Sequence, residues 1–243
     1  MKRESVTRRQ LLRRLPDAGA PGWTSYRPQF EIPPLADLGL TRDDGDQISE
    51  IAAASDTGSV LFVHDGAATL IAPPFPVAGA LDYSEAYTRP LVELLERKRV
   101  VATMLLRLGG FSVGFFHGDA VVDSKTDRRF VKNRHRKGGQ SQRRFDRIRE
   151  KQVHELFGKA CEEAREKLEP YEDEIEYVFF GGDRLTLLAF RKECSYFERF
   201  GDRVLARVLP VPGDPRRSSL DVMPAAIWSS DVYTSEPQDE GAP

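Results

Sequence analysis

Long hydrophobic runs and cysteine are the two features that this 243-residue sequence lacks most clearly. No stretch approaches the ~18 uninterrupted apolar residues of a transmembrane helix, so the sequence predicts no membrane span. The start, Met1-Lys2-Arg3-Glu4, leads into no apolar segment, which argues against a secretory signal. Cys161 and Cys194 are too few for a disulfide framework or an all-cysteine metal cage. We therefore expect a soluble, cytoplasmic protein of a reducing compartment, with a monomer as the default state.

Charge is abundant but unevenly placed. The chain holds 36 Lys or Arg and 38 Asp or Glu, a formal net charge of -2. Between Lys125 and Lys151, however, twelve basic residues stand against three acidic ones, which gives this segment a net charge of +9. A basic stretch on an otherwise acidic chain is typical of proteins that bind polyanions such as RNA. A second, smaller basic cluster lies within the first 14 residues.

Hydrophobic patterns predict one α/β domain between an arm and a tail. We expect a basic helix and a Pro/Gly-rich arm over residues 1–56, the α/β domain over 57–210, and a largely disordered tail over 211–243. Strands are predicted at 59–63, 67–72, 100–108, 111–116, 120–123, 175–180, 185–190 and 203–209. Helices are predicted at 5–15, after Pro90, from Ser141 to Pro170 and near 194–200. Within the long helix, Phe145, Leu156 and Phe157 are expected to face the core.

The most informative motif lies in the basic segment, in a loop expected near residues 127–142. It contains two glycines followed by a polar amide, Gly138-Gly139-Gln140. Two other Gly-Gly pairs, at 109–110 and 181–182, are not flanked by basic residues on both sides and are expected to be turns. Glycines let a backbone approach a ligand closely, and a glutamine can orient a water molecule while its backbone N–H stabilises an oxyanion. The surrounding basic and polar residues are candidate RNA-binding groups: Lys132, Arg134, His135, Arg136, Lys137, Ser141, Arg143, Arg144 and Arg147.

The stretch from Arg134 to Lys151 resembles the Gly-Gly-Gln loop and following helix of archaeal and eukaryotic class I translation termination factors. The likeness is carried by Lys137-Gly138-Gly139-Gln140-Ser141 and by Arg144-Phe145-Asp146-Arg147-Ile148-Arg149. The sequence shows no Asn-Ile-Lys-Ser element for reading stop codons and is too short for three domains. It is therefore more similar to the Vms-type release-factor-like peptidyl-tRNA hydrolases, which include bacterial members.

This resemblance implies a fold and an activity. The expected fold is an RNase H-like mixed sheet with flanking helices, of the release-factor middle-domain type. The expected activity is hydrolysis of the peptidyl-tRNA ester in the peptidyl transferase centre of stalled large ribosomal subunits, without metal or cofactor. Gly138, Gly139 and Gln140 are the candidate catalytic residues, and Gln142 is the reserve because it also fits a Gly-x-x-Gln spacing.

Two alternatives remain open at this stage. The same basic loop would serve a non-catalytic ribosome- or tRNA-binding protein. A metal-dependent nuclease would need converging acids, for which Asp119 and Asp123 are the candidates. The four histidines show no metal-ligand spacing, so we expect no metal site.

Overall fold

The computed structural model describes residues 1–129, 131 and 140–235, and of residues 140–143 it describes the backbone only. The chain forms two compact units. Unit 1 combines residues 1–97 with the chain from Ile227 onward, and unit 2 comprises residues 98–226. Along the chain, unit 2 is therefore an insertion within unit 1.

Unit 1 is built on a six-stranded antiparallel sheet. Its strand order is β1-β10-β4-β3-β2-β5. The strands are β1 (Lys2–Val6), β2 (Pro21–Arg27), β3 (Ser59–His64), β4 (Ala67–Ala72), β5 (Leu81–Glu85) and β10 (Ser230–Thr234). The helices are α1 (Arg8–Arg14), α2 (Arg42–Ala54) and α3 (Arg89–Glu96). Because side chains alternate along a strand, β3 contributes Val60 and Phe62 to one core cluster and Leu61 and Val63 to another.

The β3–β4 hairpin confirms the strongest local prediction. Its two turn residues, Asp65 and Gly66, both have positive φ, +47° and +71°. This is the backbone that a two-residue hairpin turn requires and that Asp-Gly supplies at low cost. The two strands then pair from Val60 with Ile71 to His64 with Ala67.

Unit 2 is built on a four-stranded mixed sheet with the order β8-β7-β6-β9. The strands are β6 (Val100–Arg107), β7 (Gly110–His117), β8 (Ala120–Arg128) and β9 (Tyr177–Gly182). The helices are α4 (Gln140–Leu168), α5 (Arg184–Glu193) and α6 (Arg217–Ile227). β6 pairs antiparallel with β7 and parallel with β9. The predicted α/β class, with a mixed sheet and flanking helices, is confirmed.

Helices cover both faces of this sheet. One face packs against α4 and α5 through a cluster that includes Phe111, Phe115, Phe157 and Phe190. On the other face, β7 has a glycine, Gly114, against which Leu220 of α6 packs so closely that an added Cβ would lie 2.9 Å from it. The small residue therefore lets α6 approach the sheet.

The predicted division at residues 56/57 and 210/211 differs from the structure. Strands β3 and β4, assigned from sequence to the α/β domain, belong to unit 1. The reason is backbone pairing: β2, from the supposed arm, pairs with β3, and β10, from the supposed tail, pairs with β4. Arm and tail residues therefore complete a sheet.

The predicted strand at 185–190 is wrong, because these residues form helix α5. Asp183 caps the helix, accepting a hydrogen bond from the Thr186 backbone N–H at 2.8 Å. Thr186, Leu187 and Phe190 bury one face at helical spacing, whereas Leu185 is 76% exposed. A short, predominantly apolar run, broken only by Thr186, does not distinguish a helical period from a strand period.

Two further elements differ from the predictions. The predicted strand at 203–209 is reduced to isolated parallel bridges that Val204 and Leu209 make with β9. The predicted disordered tail contains α6 and β10, and the part of it from residue 236 lies outside the described residues.

Cys161 and Cys194 form a disulfide that joins α4 to the residue after α5. Their Cα atoms lie 5.6 Å apart, and Cys194 is buried in the core of unit 2. This single cross-link is at odds with the expectation of a reducing compartment, which rested on the low cysteine count.

Candidate functional site

The predicted loop is bracketed by two well-defined elements, the end of β8 and the start of α4. Strand β8 ends at Arg128, and α4 begins at Gln140, inside the loop range expected from sequence. Gln140 and Gln142 therefore lie in the first turn of α4, where only the backbone is described. Ser141 and Arg143 share that turn. The remaining predicted loop residues lie outside the described residues: Lys132, Arg134, His135, Arg136, Lys137, Gly138 and Gly139.

Helix α4 has two halves with different surroundings. Its second half packs into the core of unit 2 through buried residues that recur at helical spacing: Leu156, Phe157, Ala160, Ala164 and Leu168. In the first half, none of residues 144–155 is buried. Phe145, predicted to face the core, is 44% exposed, so that prediction is wrong. An amphipathic pattern in sequence did not distinguish the half of α4 that has buried residues from the half that has none among residues 144–155.

The contacts between α4 and β8 explain this difference. Lys125 of β8 lies opposite Glu163, and Asp123 lies opposite Lys167, so the two elements run antiparallel. From Lys125 to the end of β8 at Arg128 is about 10 Å, since a strand rises ~3.3 Å per residue. Seven helical residues cover a similar distance, which places the end of β8 level with about Leu156. The first half of α4 therefore extends past the end of the sheet.

The extended half of α4 and the end of β8 carry exposed basic side chains. Arg144 and Arg147, two of the predicted RNA-binding residues, are exposed on α4, as is Lys151. Arg128 and Arg129 are exposed at the end of β8. Basic side chains on a projecting element can contact phosphates without steric hindrance from the body of the protein.

Two of the acidic and histidine side chains considered as metal ligands, Asp123 and His154, are engaged in protein contacts. Asp123, a nuclease candidate, lies 3.5 Å from Lys167 Nζ and accepts a hydrogen bond from the Ser124 backbone N–H. His154 Nδ1 lies 2.8 Å from a carboxylate oxygen of Glu193. In the part of the chain that the structure describes, no group of three or more His, Cys, Asp or Glu is placed to hold a metal ion. No observation here favours the nuclease alternative.

One charged residue at the α4–β8 contact was not singled out from sequence. Glu163 is 4% exposed and faces Lys125. Its signal was its position: three residues after Ala160, it falls on the apolar face of the predicted helix, where a carboxylate needs a partner.

Unit 1 carries a groove of about 480 Å³. Phe62, Ile71 and Val232 of the sheet line it together with Leu11 and Leu15 from the region of α1. None of its lining residues belongs to β8 or α4. Within residues 1–129 and 140–235, no helix is long and apolar enough to cross a membrane.

Comparison with known proteins identifies relatives among release factors. The peptide chain release factor subunit 1 of Archaeoglobus fulgidus is 36% identical over 119 residues, which cover 48% of this chain and 29% of the relative. The corresponding protein of Methanopyrus kandleri is 37% identical over 117 residues, covering 47% and 28%. The matched segment thus spans less than a third of the length of either relative.

Two solved structures also resemble parts of this chain. The crystal structure of the archaeal translation termination factor aRF1 covers 92% of this chain and 73% of its own, with 18% identity and a TM-score of 0.38. The match to the structure of Archaeoglobus fulgidus Pelota covers 86% of this chain and 62% of the Pelota chain, with 12% identity and a TM-score of 0.29.

The family model described as Actinobacteria/chloroflexi VLRF1 release factor matches residues 99–233. This span is more than half of the 243 residues and includes β8, α4 and the motif between them. The release-factor resemblance stated from the motif is thereby confirmed. The chain belongs to the Actinobacteria/chloroflexi VLRF1 release factor family.

Proposed function

We propose that this protein is a peptidyl-tRNA hydrolase that releases nascent chains from stalled large ribosomal subunits. The observation that carries the proposal is that Gln140, which follows Gly138-Gly139 in the sequence, begins a helix whose first half extends past the end of the sheet. This placement, within the span matched by the release-factor family, suits a motif that must enter a narrow RNA cavity.

In the proposed reaction, a water oxygen attacks the carbonyl carbon of the peptidyl-tRNA ester. The bond from that carbon to the tRNA 3′ oxygen then breaks, and this oxygen takes a proton from the attacking water. Gln140 orients the water, and its backbone N–H lies near the developing oxyanion. Gly138 and Gly139 give the backbone room to approach. Gln142 is the reserve for Gln140, and no metal or cofactor takes part.

The projecting half of α4 supplies the proposed RNA contacts. Arg144 and Arg147 are exposed there, and they would pair with phosphates of ribosomal RNA or tRNA together with the loop residues named from sequence. Such contacts position a protein on RNA without reading its sequence.

Single-turnover release of a labelled peptide from peptidyl-tRNA on purified large subunits tests the proposal. We expect Gln140→Ala to slow release about a hundredfold or more, because orientation supplies much of the rate. Gln142→Ala tests the reserve residue, and Gln152→Ala, on the same helix, serves as the matched control. Wild-type release should survive a chelator. Release at the wild-type rate by both Gln140→Ala and Gln142→Ala would overturn the assignment.

The exposed arginines of α4 also support a second candidate function, binding to ribosomal RNA or tRNA without hydrolysis. In this case Arg144→Ala and Arg147→Ala should weaken subunit binding, and each should reduce the slope of log affinity against log salt by about 1. Arg9→Ala, an exposed arginine of α1, is the control for loss of charge. Binding without peptide release by the wild type would favour this second function.

A further inference from the structure

Glu163 is a buried carboxylate that the proposed reaction does not use. It lies in the second half of α4 and is 4% exposed, between the core residues Ala160 and Ala164. Burial of a charge is unfavourable unless opposite charges compensate it. Its surroundings therefore indicate why the helix tolerates an ionised group on its apolar face.

Two lysines compensate Glu163, one from each of two elements. Lys159, one turn earlier on α4, places Nζ 3.0 Å from Glu163 Oε1. Lys125 of β8 places Nζ 3.5 Å from the same oxygen. Desolvation alone would raise the pKa of Glu163, but these two ammonium groups bring the pKa below its ordinary value. The carboxylate is thus ionised at neutral pH and joins β8 to α4.

A second ion pair lies one helical turn further along the same contact. Lys167 of α4 lies 3.5 Å from Asp123 of β8, with the signs reversed relative to Lys125 and Glu163. Because sliding the helix by one turn would bring like charges together, the two pairs favour a single register of α4 on β8. The neighbouring apolar contacts are non-directional and specify that register less sharply.

We infer that Glu163 is a positioning residue, which holds Lys125 against α4 and thereby sets the direction in which the first half of the helix projects. The inference rests on the proposed function for its effect on catalysis. From Glu163 to Gln140 the helix spans about 34 Å, so a rotation of about 5° at Glu163 would move the motif by about 3 Å. Displacements of this size strongly reduce reaction rates.

Glu163→Gln removes the charge and keeps the shape of the side chain. The chain offers a matched control in Glu162→Gln: Glu162 also lies 3.0 Å from Lys159, but its side chain is 69% exposed and it makes no ion pair with β8 in the described part of the chain. At saturating subunits, we expect Glu163→Gln to slow peptide release about tenfold or more. The subunit concentration at half-saturation should stay close to that of wild type, because the RNA-binding arginines remain. Glu162→Gln should behave as wild type.

Lys125→Gln breaks the same ion pair from its β8 side, where the side chain is exposed. It replaces Glu163→Gln in the test if that variant does not fold. It should slow release similarly, and combining it with Glu163→Gln should add little, because both changes break one interaction. Hydrogen exchange gives a readout that does not depend on catalysis. We expect faster exchange in β8 and in residues 156–168 of α4 for Glu163→Gln than for Glu162→Gln.

The outcomes separate the two proposals. If wild type releases no peptide, the proposed function fails, and the exchange comparison alone decides the inference on Glu163. If hydrogen exchange and peptide release by Glu163→Gln equal those of Glu162→Gln, the inference on Glu163 is overturned. A lower melting temperature with an unchanged saturating rate would also overturn it, because Glu163 would then be structural only.

Discussion

At the residue scale, Tyr196 has a buried hydroxyl without a hydrogen-bond partner among the described residues. The side chain is 2% exposed, and within the described residues its oxygen has no hydrogen-bond partner. Burial raises the pKa of this phenol to about 12. Folding therefore favours the protonated phenol. The stability that comes from this pKa difference is fully present below pH 10, the ordinary pKa of tyrosine, and is lost as the pH rises toward 12.

We accordingly expect Tyr196→Phe to leave the free energy of unfolding unchanged or to raise it at pH 7, because an unpaired buried hydroxyl is removed. Between pH 10 and 12 the variant should lose less stability than wild type. Urea unfolding at pH 7 and pH 11 measures both effects. A loss above about 1 kcal/mol at pH 7 would show that the hydroxyl has a favourable partner.

Two glycines of unit 2 have opposite sensitivities to an added methyl group. Gly182 has a φ of +125°, and a Cβ there would collide with the carbonyl oxygen of Leu106. Gly158 lies within α4, and within the described residues an added Cβ there would have open space around it apart from the backbone of its own helix turns. We expect Gly182→Ala to lower the free energy of unfolding by about 2 kcal/mol or more. Gly158→Ala should raise it by about 0.5–1 kcal/mol, and denaturant melts of the two variants side by side check the contrast.

At the element scale, the disulfide fixes α4 to the end of α5. Cys161 and Cys194 are separated by 33 residues, a loop whose closure stabilises a folded domain by about 3–4 kcal/mol in the chain-entropy treatment. Reduction with dithiothreitol should therefore lower the melting temperature of unit 2. The double variant Cys161→Ser/Cys194→Ser should melt at the reduced position with or without dithiothreitol. Equal melting of oxidised and reduced wild type would contradict this expectation.

The elements differ in how far the sequence determines them locally. The β3–β4 hairpin was predictable because Asp65-Gly66 specifies the turn, and α4 because its apolar spacing persists to Leu168. α5 was not, since its exposed Leu185 and Leu188 match no inside–outside pattern. β10 depends on pairing with β1 and β4, contacts more than 150 residues away in sequence.

The candidate site divides in the same way. The glycines, glutamines and arginines of the motif are predicted from their residue types and spacing, and their roles stay predictions. The projection of the first half of α4 could not, because it depends on where β8 ends beside the helix. Glu163 was missed for a related reason: its place on the apolar face indicates that it needs a partner, but no local pattern encodes that this partner is Lys125 of β8.

At the scale of the whole molecule, unit 1 depends on a strand that follows unit 2 in the chain. β10 lies between β1 and β4 in the sheet, and its Val232 is 8% exposed in the core beside Val6 and Ile71. We expect Val232→Asp to destabilise unit 1 by about 3 kcal/mol or more, because a charge would be buried without a partner. Thr234→Asp, an exposed position of the same strand, is the control.

Hydrogen exchange followed by unit distinguishes this effect from general unfolding. In Val232→Asp, amides of β1 and β4 should exchange faster, while those of β6 and β7 keep their protection, because the two units have separate core clusters. Equal loss of protection in both units would show that they unfold as one.

The insertion of unit 2 between β5 and β10 also has a consequence for biosynthesis. A ribosome delivers the chain from its N-terminus, and domains generally fold as units while they emerge. All four strands of the unit 2 sheet have been synthesised before β10 appears. The position between β1 and β4 in the unit 1 sheet stays vacant until then. Unit 2, which carries the candidate site, is thus able to fold first, while β1 and β4 wait for β10.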